Sequence, residues 1–144
     1  MTVNLAYGSG HLPIVVPDNR TTVIEPTHID GLADEKAAVI DALHNPVGSQ
    51  PLLERISPDT KTCIAFTDLT RATPNDRIIP WLLEHLGGAN DNITLLNQLG
   101  THRPNTKEEL ETMLTPEVVA NYRVLNHEPE NPEALGQVGT TANG

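Results

Sequence analysis

The 144-residue chain is long enough to bury a core as one domain. It carries 9 Lys and Arg against 19 Asp and Glu, a formal charge of -10. That balance would repel a phosphate backbone or an anionic bilayer, so neither nucleic acid nor a membrane is an expected partner. One Trp, one Phe and two Tyr leave the core to Ile, Leu, Val and Ala, and 12 prolines with 10 glycines predict many short elements. Cys63 is the only cysteine, so no internal disulfide can form. It lies in an apolar run and is expected to be a buried structural thiol. No apolar stretch approaches the roughly 20 residues of a membrane span. The start, MTVNLAYGSGH, lacks the cationic and apolar regions of a secretion signal, so a cytoplasmic location is expected.

Residues 2–7 read as a strand, Gly8-Ser9-Gly10 as a turn, and 12–17 as a second strand in a hairpin. Pro13 suits an edge position there. Residues 20–26 read as a third β-like run closed by Pro26. From Asp34 the period changes: Ala37, Ile40 and Leu43 recur at helical spacing, acidic residues open the segment, and Pro46 and Gly48 stop it. Residues 51–56 suit a short helical turn.

Regular alternation begins next. Residues 61–66 are a strand apolar on both faces toward its end. Thr73-Pro74 reads as a cap and first helical position. The helix it opens runs to about Leu86, with Ile78, Ile79, Leu82, Leu83 and Leu86 on one face and Gly87-Gly88 as its stop. Residues 92–99 are the next strand. Thr106 and Glu109 have capping-box spacing for a helix to about Leu114, and Thr115-Pro116 starts a further helical turn. Residues 122–127 are the last strand, and 128–144 read as a loop or tail. Strand, helix, strand, helix, strand predicts an α/β fold: a parallel-sheet Rossmann-like core with a β-rich N-terminal lead-in, in a single domain over 1–144.

In open parallel sheets ligands sit outside the carboxyl ends of the strands. Two consecutive predicted strands end there in polar clusters, 68-DLTR-71 and 100-GTHR-103. Either alone reads as a turn. Together, on adjacent strands, they would bring Asp68, Arg71 and His102 to one small volume. Arg71 offers a planar fork for a carboxylate or phosphate, and His102 a proton carrier near neutral pH. Asp68 could orient a base, bind sugar hydroxyls or hold Arg71. His11, His28, His44 and His85 are scattered without metal-ligand spacing, whereas His127, after the last strand, could reach the same rim.

The stretch FTDLTRATP at 66–74 resembles the Asp-x-Thr-Arg-x-Thr-Pro segment of the nickel-pincer lactate racemase family. LGTHRPNTKEEL at 99–110 is similar to that family's Gly-Thr-His-Arg-Pro segment, and YGSG at 7–10 to its Tyr-Gly-x-Gly start. The tail at 126–141 is also similar, so the resemblance covers essentially the whole chain. It implies a racemase or epimerase of 2-hydroxy acids, with lactate as the default substrate. A hydride would pass from the α-carbon to a nickel-pincer nucleotide and back while a histidine takes the hydroxyl proton. His102 matches that histidine, Arg71 a residue holding the substrate carboxylate, and Asp68 and Thr70 the cofactor-facing segment. The family's second acid/base histidine, its cofactor-anchoring lysine and its nickel-binding histidine belong to a later Gly-rich segment with no counterpart here. The resemblance therefore implies the N-terminal domain of a longer enzyme, whose missing C-terminal portion is a partner. Alone, the chain is not expected to hold the nickel cofactor covalently or to turn over substrate. The competing readings are a stand-alone small-molecule-binding module without catalysis and a purely structural α/β domain.

Overall fold

The computed structural model describes residues 1–57, 59–87 and 90–142. The chain divides into two compact units, Met1–Gly31 and Leu32–Gly144.

In the first unit, β1 (Thr2–Tyr7) and β2 (Gly10–Val15) form the expected antiparallel hairpin, in which Asn4 faces Pro13. Both strands are edges of a two-stranded sheet, which is where a proline can be tolerated. The expected third β-run at 20–26 does not form. A 3-10 turn at Asp18–Arg20 ends the hairpin, and residues 21–26 pair with no strand. A β-like composition predicts a strand only where a neighbour completes the ladder.

The second unit is an α/β layer. Helix α1 (Glu35–His44) is capped by Asp34, whose carboxylate accepts from the Ala37 amide at 2.9 Å. Residues Leu52–Glu54 make the expected short turn, in 3-10 form. Then come β3 (Thr62–Thr67), α2 (Asn75–Leu86), β4 (Ile93–Gln98), α3 (Lys107–Leu114), α4 (Pro116–Asn121) and β5 (Arg123–Asn126). The three strands are parallel, in the order β3-β4-β5, and Thr67 stands opposite Gln98.

The core lies on one face of this sheet. Ile64, Phe66, Ile93, Leu95 and Val124 meet Ile79 and Leu83 of α2, Leu110 and Leu114 of α3, and Val118 of α4. The opposite face is thinly covered: Cys63, Ala65, Arg123 and Leu125 are exposed. Cys63 is thus not the buried thiol expected from its apolar run. An apolar strand in a parallel sheet is usually covered on both sides. Here the helices cover one side, and alternation turns Cys63 to the other.

Helix α2 begins at Asn75, not at Pro74, and Thr73 makes no cap; the residue before the helix is Pro74. Asn75 is buried and its side-chain amide donates to the Thr67 carbonyl at 2.9 Å, tying the helix start to the end of β3. Gly87 closes the helix in the left-handed region, with a φ of 56°; its expected companion Gly88 lies outside the described residues. The Thr106–Glu109 capping box and the Thr115 cap form as the sequence predicts. Residues 128–142 hold only the 3-10 turn Pro132–Ala134, and the last two tail positions lie outside the described residues. Among the described residues no helix is long and apolar enough to cross a membrane.

Candidate functional site

Strands β3 and β4 end in similar tight turns. The Arg71 amide donates to the Asp68 carbonyl at 3.1 Å, and the His102 amide to the Leu99 carbonyl at 2.9 Å. The second turn needs Gly100, whose φ of 57° is hostile to a side chain. Because the strands are adjacent and in register, the two turns share one rim, where their side chains meet.

His102 Nδ1 and Asp68 Oδ2 are 2.6 Å apart, and the Thr70 hydroxyl donates to Asp68 Oδ1 at 2.8 Å. Asp68 is buried, with its side chain only 5% exposed, whereas the His102 side chain is 47% exposed. The hydrogen bond from His102, then that from Thr70, hold the Asp68 carboxyl below the ordinary carboxylate range, against the opposing effect of burial. Asp68 is therefore ionised at neutral pH and can only accept. The shared proton then sits on His102 Nδ1, and in the neutral ring Nε2 carries the lone pair that can accept an acidic hydrogen. This is a buried orienting carboxylate behind an accessible base.

The structure thus brings Asp68, Thr70 and His102 together. Arg71 lies on the same turn as Asp68, exposed, and its guanidinium has no hydrogen-bond or ion-pair partner among the described residues. It does not line the cleft that His102 lines. That cleft, of about 700 Å³, runs between residues 101–104 after β4 and 127–131 after β5, and it contains His127.

Sequence reasoning missed what holds this rim. Along the helix-side face of the sheet, Phe66 of β3 is followed across the strands by Asn97 and Asn126. Asn97 is fully buried, and its amide donates to Asn105 Oδ1 at 2.8 Å and Asn126 Oδ1 at 2.9 Å. Asn126 is pinned by the Asn105 backbone, accepting from its N–H at 3.3 Å and donating to its carbonyl at 3.0 Å. Asn105 donates in turn to Glu109 Oε2 at 3.0 Å. Every amide in this lattice has a forced orientation, and the loop carrying His102 is stitched to both β4 and β5. A polar residue in the core-facing alternation Ile93, Leu95, Asn97 was the available cue.

Arg103, the other cation of the second cluster, is committed to Glu109 through a bidentate pair at 2.6 and 2.9 Å. Those bonds, then the Thr106 amide and the Asn105 side chain, lower Glu109 from 4.5 to about 2. A carboxylate with a depressed folded value contributes stability that is whole above its unfolded value and lost as pH falls through the folded one. The gap in melting temperature between wild type and Glu109→Gln should therefore be widest above pH 4.5 and close as pH approaches about 2. A gap that ignores pH over that window would show that the charge contributes nothing.

The family model described as the lactate racemase N-terminal domain matches residues 7–144. The chain belongs to the lactate racemase N-terminal domain family. It is 26% identical over 147 residues to the lactate racemase of Thermoanaerobacterium thermosaccharolyticum, covering 99% of this chain and 34% of that protein. It is 30% identical over 112 residues to the lactate racemase of Lactiplantibacillus plantarum, covering 76% of this chain and 26% of that one. The solved lactate racemase apoprotein from T. thermosaccharolyticum superimposes with a TM-score of 0.80 at 26% identity, over 100% of this chain and 34% of that chain. The chain therefore spans about a quarter to a third of the length of the relatives it matches.

Proposed function

We propose that this domain supplies the proton-handling and carboxylate-binding part of a longer racemase or epimerase of 2-hydroxy acids, with lactate as the default substrate. The observation that carries the reading is the Asp68–His102 pair, set with the base exposed at the strand-end rim of a lactate racemase N-terminal domain. With a hydride acceptor bound, His102 Nε2 would hold the hydroxyl proton while the α-carbon lacks its hydride and return it to the oxygen when the acid is re-formed, on the one face that this residue serves. Asp68 stabilises the imidazolium in between. Arg71, uncommitted on the neighbouring turn, holds the substrate carboxylate.

When bound, the nickel-pincer nucleotide implied by the resemblance would supply the hydride acceptor. Among the described residues no group of three or more His, Cys, Asp or Glu side chains is placed to hold a metal ion, so these residues by themselves do not form a nickel centre. Both Asp68 oxygens are spent on His102 and Thr70, which leaves the exposed Thr70 hydroxyl as the member of the pair with a lone pair to offer a cofactor. The proton step needs only side chains of this chain.

Arg71→Gln tests the carboxylate assignment. Loss of a charge-assisted pair should raise the apparent substrate constant of the full-length racemase by about tenfold or more. The turnover number should change less. A substrate constant equal to wild type would remove Arg71 from the site.

A further inference from the structure

Three strand ends face the rim, and each presents a nitrogen-bearing side chain: Arg71 after β3, His102 after β4 and His127 after β5. Of the three side chains that bring ring or guanidinium nitrogens to the cleft, two are already committed. His102 is bonded to Asp68, and Arg103 to Glu109 and the Pro104 carbonyl. The His127 ring has no hydrogen-bond or ion-pair partner among the described residues. Its backbone is nonetheless fixed. The His127 amide donates to the Asn97 carbonyl at 3.1 Å, which extends the β4–β5 pairing one residue beyond the strand. Its neighbour Asn126 is locked in the asparagine lattice. A free imidazole on a fixed backbone, half-buried in the wall of a cleft, is placed to contact a ligand.

The strand order turns this into a statement about substrate. Neighbouring strands lie about 4.8 Å apart. Arg71 stands on the β3 turn outside the cleft lining, so a 2-hydroxy acid whose C2 hydroxyl meets His102 at the β4 end, with its carboxylate directed out of the cleft on the β3 side, extends its C3 substituent toward β5. Resting on the function proposed above, we infer that His127 hydrogen-bonds a C3 hydroxyl, so that the site prefers 2,3-dihydroxy acids to lactate. A methyl group would leave the ring unpartnered and facing apolar surface. A second carboxylate at C3 would meet Glu128 and Glu130, which line the same cleft. A neutral hydroxyl meets neither objection. The cleft of about 700 Å³ also has room for a chain longer than that of lactate.

The test uses the 144-residue chain labelled with ¹³C at histidine Cε1, titrated separately with glycerate, lactate and malate. The His102 and His127 signals are followed by NMR. Glycerate should move both signals and bind at least about tenfold more tightly than lactate or malate, a difference of one good hydrogen bond. His127→Ala should abolish the preference while lactate still moves His102, and His127→Gln, which keeps a donor, should recover part of it. Equal affinity for glycerate and lactate, tighter binding of malate, or a glycerate preference that survives His127→Ala would overturn the inference and leave the proposed function standing. If no hydroxy acid moves the His102 signal, both fall together.

Discussion

Replacing His102 by alanine should slow racemisation by the full-length enzyme by about 10²–10⁴, the usual cost of losing a general base. Asp68→Asn should approach the same loss by a different route. An amide can donate to Nδ1, which would move the proton to Nε2 and leave the ring facing substrate with the wrong tautomer. The two variants should therefore not be additive, since both remove one function. Thr70→Val, which removes a donor from the far oxygen of Asp68, should lie well short of either. Initial rates measured by chiral chromatography from each enantiomer settle the point. An unaltered rate in His102→Ala would mean that the imidazole only packs against Asp68. A fully active Asp68→Asn enzyme would mean that the 2.6 Å contact does not set the tautomer.

Asn97→Asp should be among the most destabilising single-atom-scale changes in the domain. The side chain is fully buried, and it donates to two carbonyl oxygens whose orientations are fixed from outside, one by Glu109 and the other by the Asn105 backbone. A carboxylate of the same shape loses both donors and sets a negative charge against two acceptors. An uncompensated buried charge costs about 3–5 kcal/mol, a large part of the roughly 5–15 kcal/mol of a whole domain. Asn97→Leu should cost less. It also removes the donors, but it takes away the Asn97 Oδ1 acceptor, which is buried without a partner among the described residues. Urea unfolding of the three proteins at neutral pH gives the order. Equal stability of Asn97→Asp and wild type would mean that the lattice does not hold the rim.

Legibility from the sequence tracked periodicity and chain-local chemistry. The Thr106–Glu109 box, the Thr115-Pro116 start and the strand–helix alternation are local signals, and the structure has them where the residues put them. The misplaced features all depend on long-range partners. Residues 20–26 have the composition of a strand but nothing beside them to complete a ladder. Cys63 sits in an apolar run, yet its exposure is decided by helices that cover only the other face of the sheet. Thr73-Pro74 has the form of a cap, but Asn75, bonded to Thr67 eight residues earlier, fixes where α2 begins.

The rim divides along the same line. Two polar clusters after adjacent predicted strands suggested that Asp68, Arg71 and His102 share a volume; Asp68 and His102 touch, whereas Arg71 does not line the cleft that His102 lines. Sequence order could not separate the possible duties of Asp68 among base, sugar hydroxyl and Arg71. The fold does so by distance, since the Asp68 carboxylate touches His102 and Thr70. Asparagines read in a sequence as turn formers, so the lattice of Asn97, Asn105 and Asn126 became visible only when three separate segments were brought side by side. Arg103, which ends the second cluster, is occupied by Glu109 six residues later, whereas Arg71 has no side-chain partner among the described residues.

In the proposed function the chemistry of the rim turns on the position of one proton: ionised Asp68 would keep it on His102 Nδ1 and leave Nε2 as the base. Long-range ¹⁵N–¹H correlation spectra of the 144-residue chain, labelled at histidine and recorded at alkaline pH, report the tautomer directly. His102 should show a pyrrole-like Nδ1 and a pyridine-like Nε2, with the pattern lost or inverted in Asp68→Asn. A wild-type His102 carrying its proton on Nε2, or one whose spectrum is the same in Asp68→Asn, would refute the assignment.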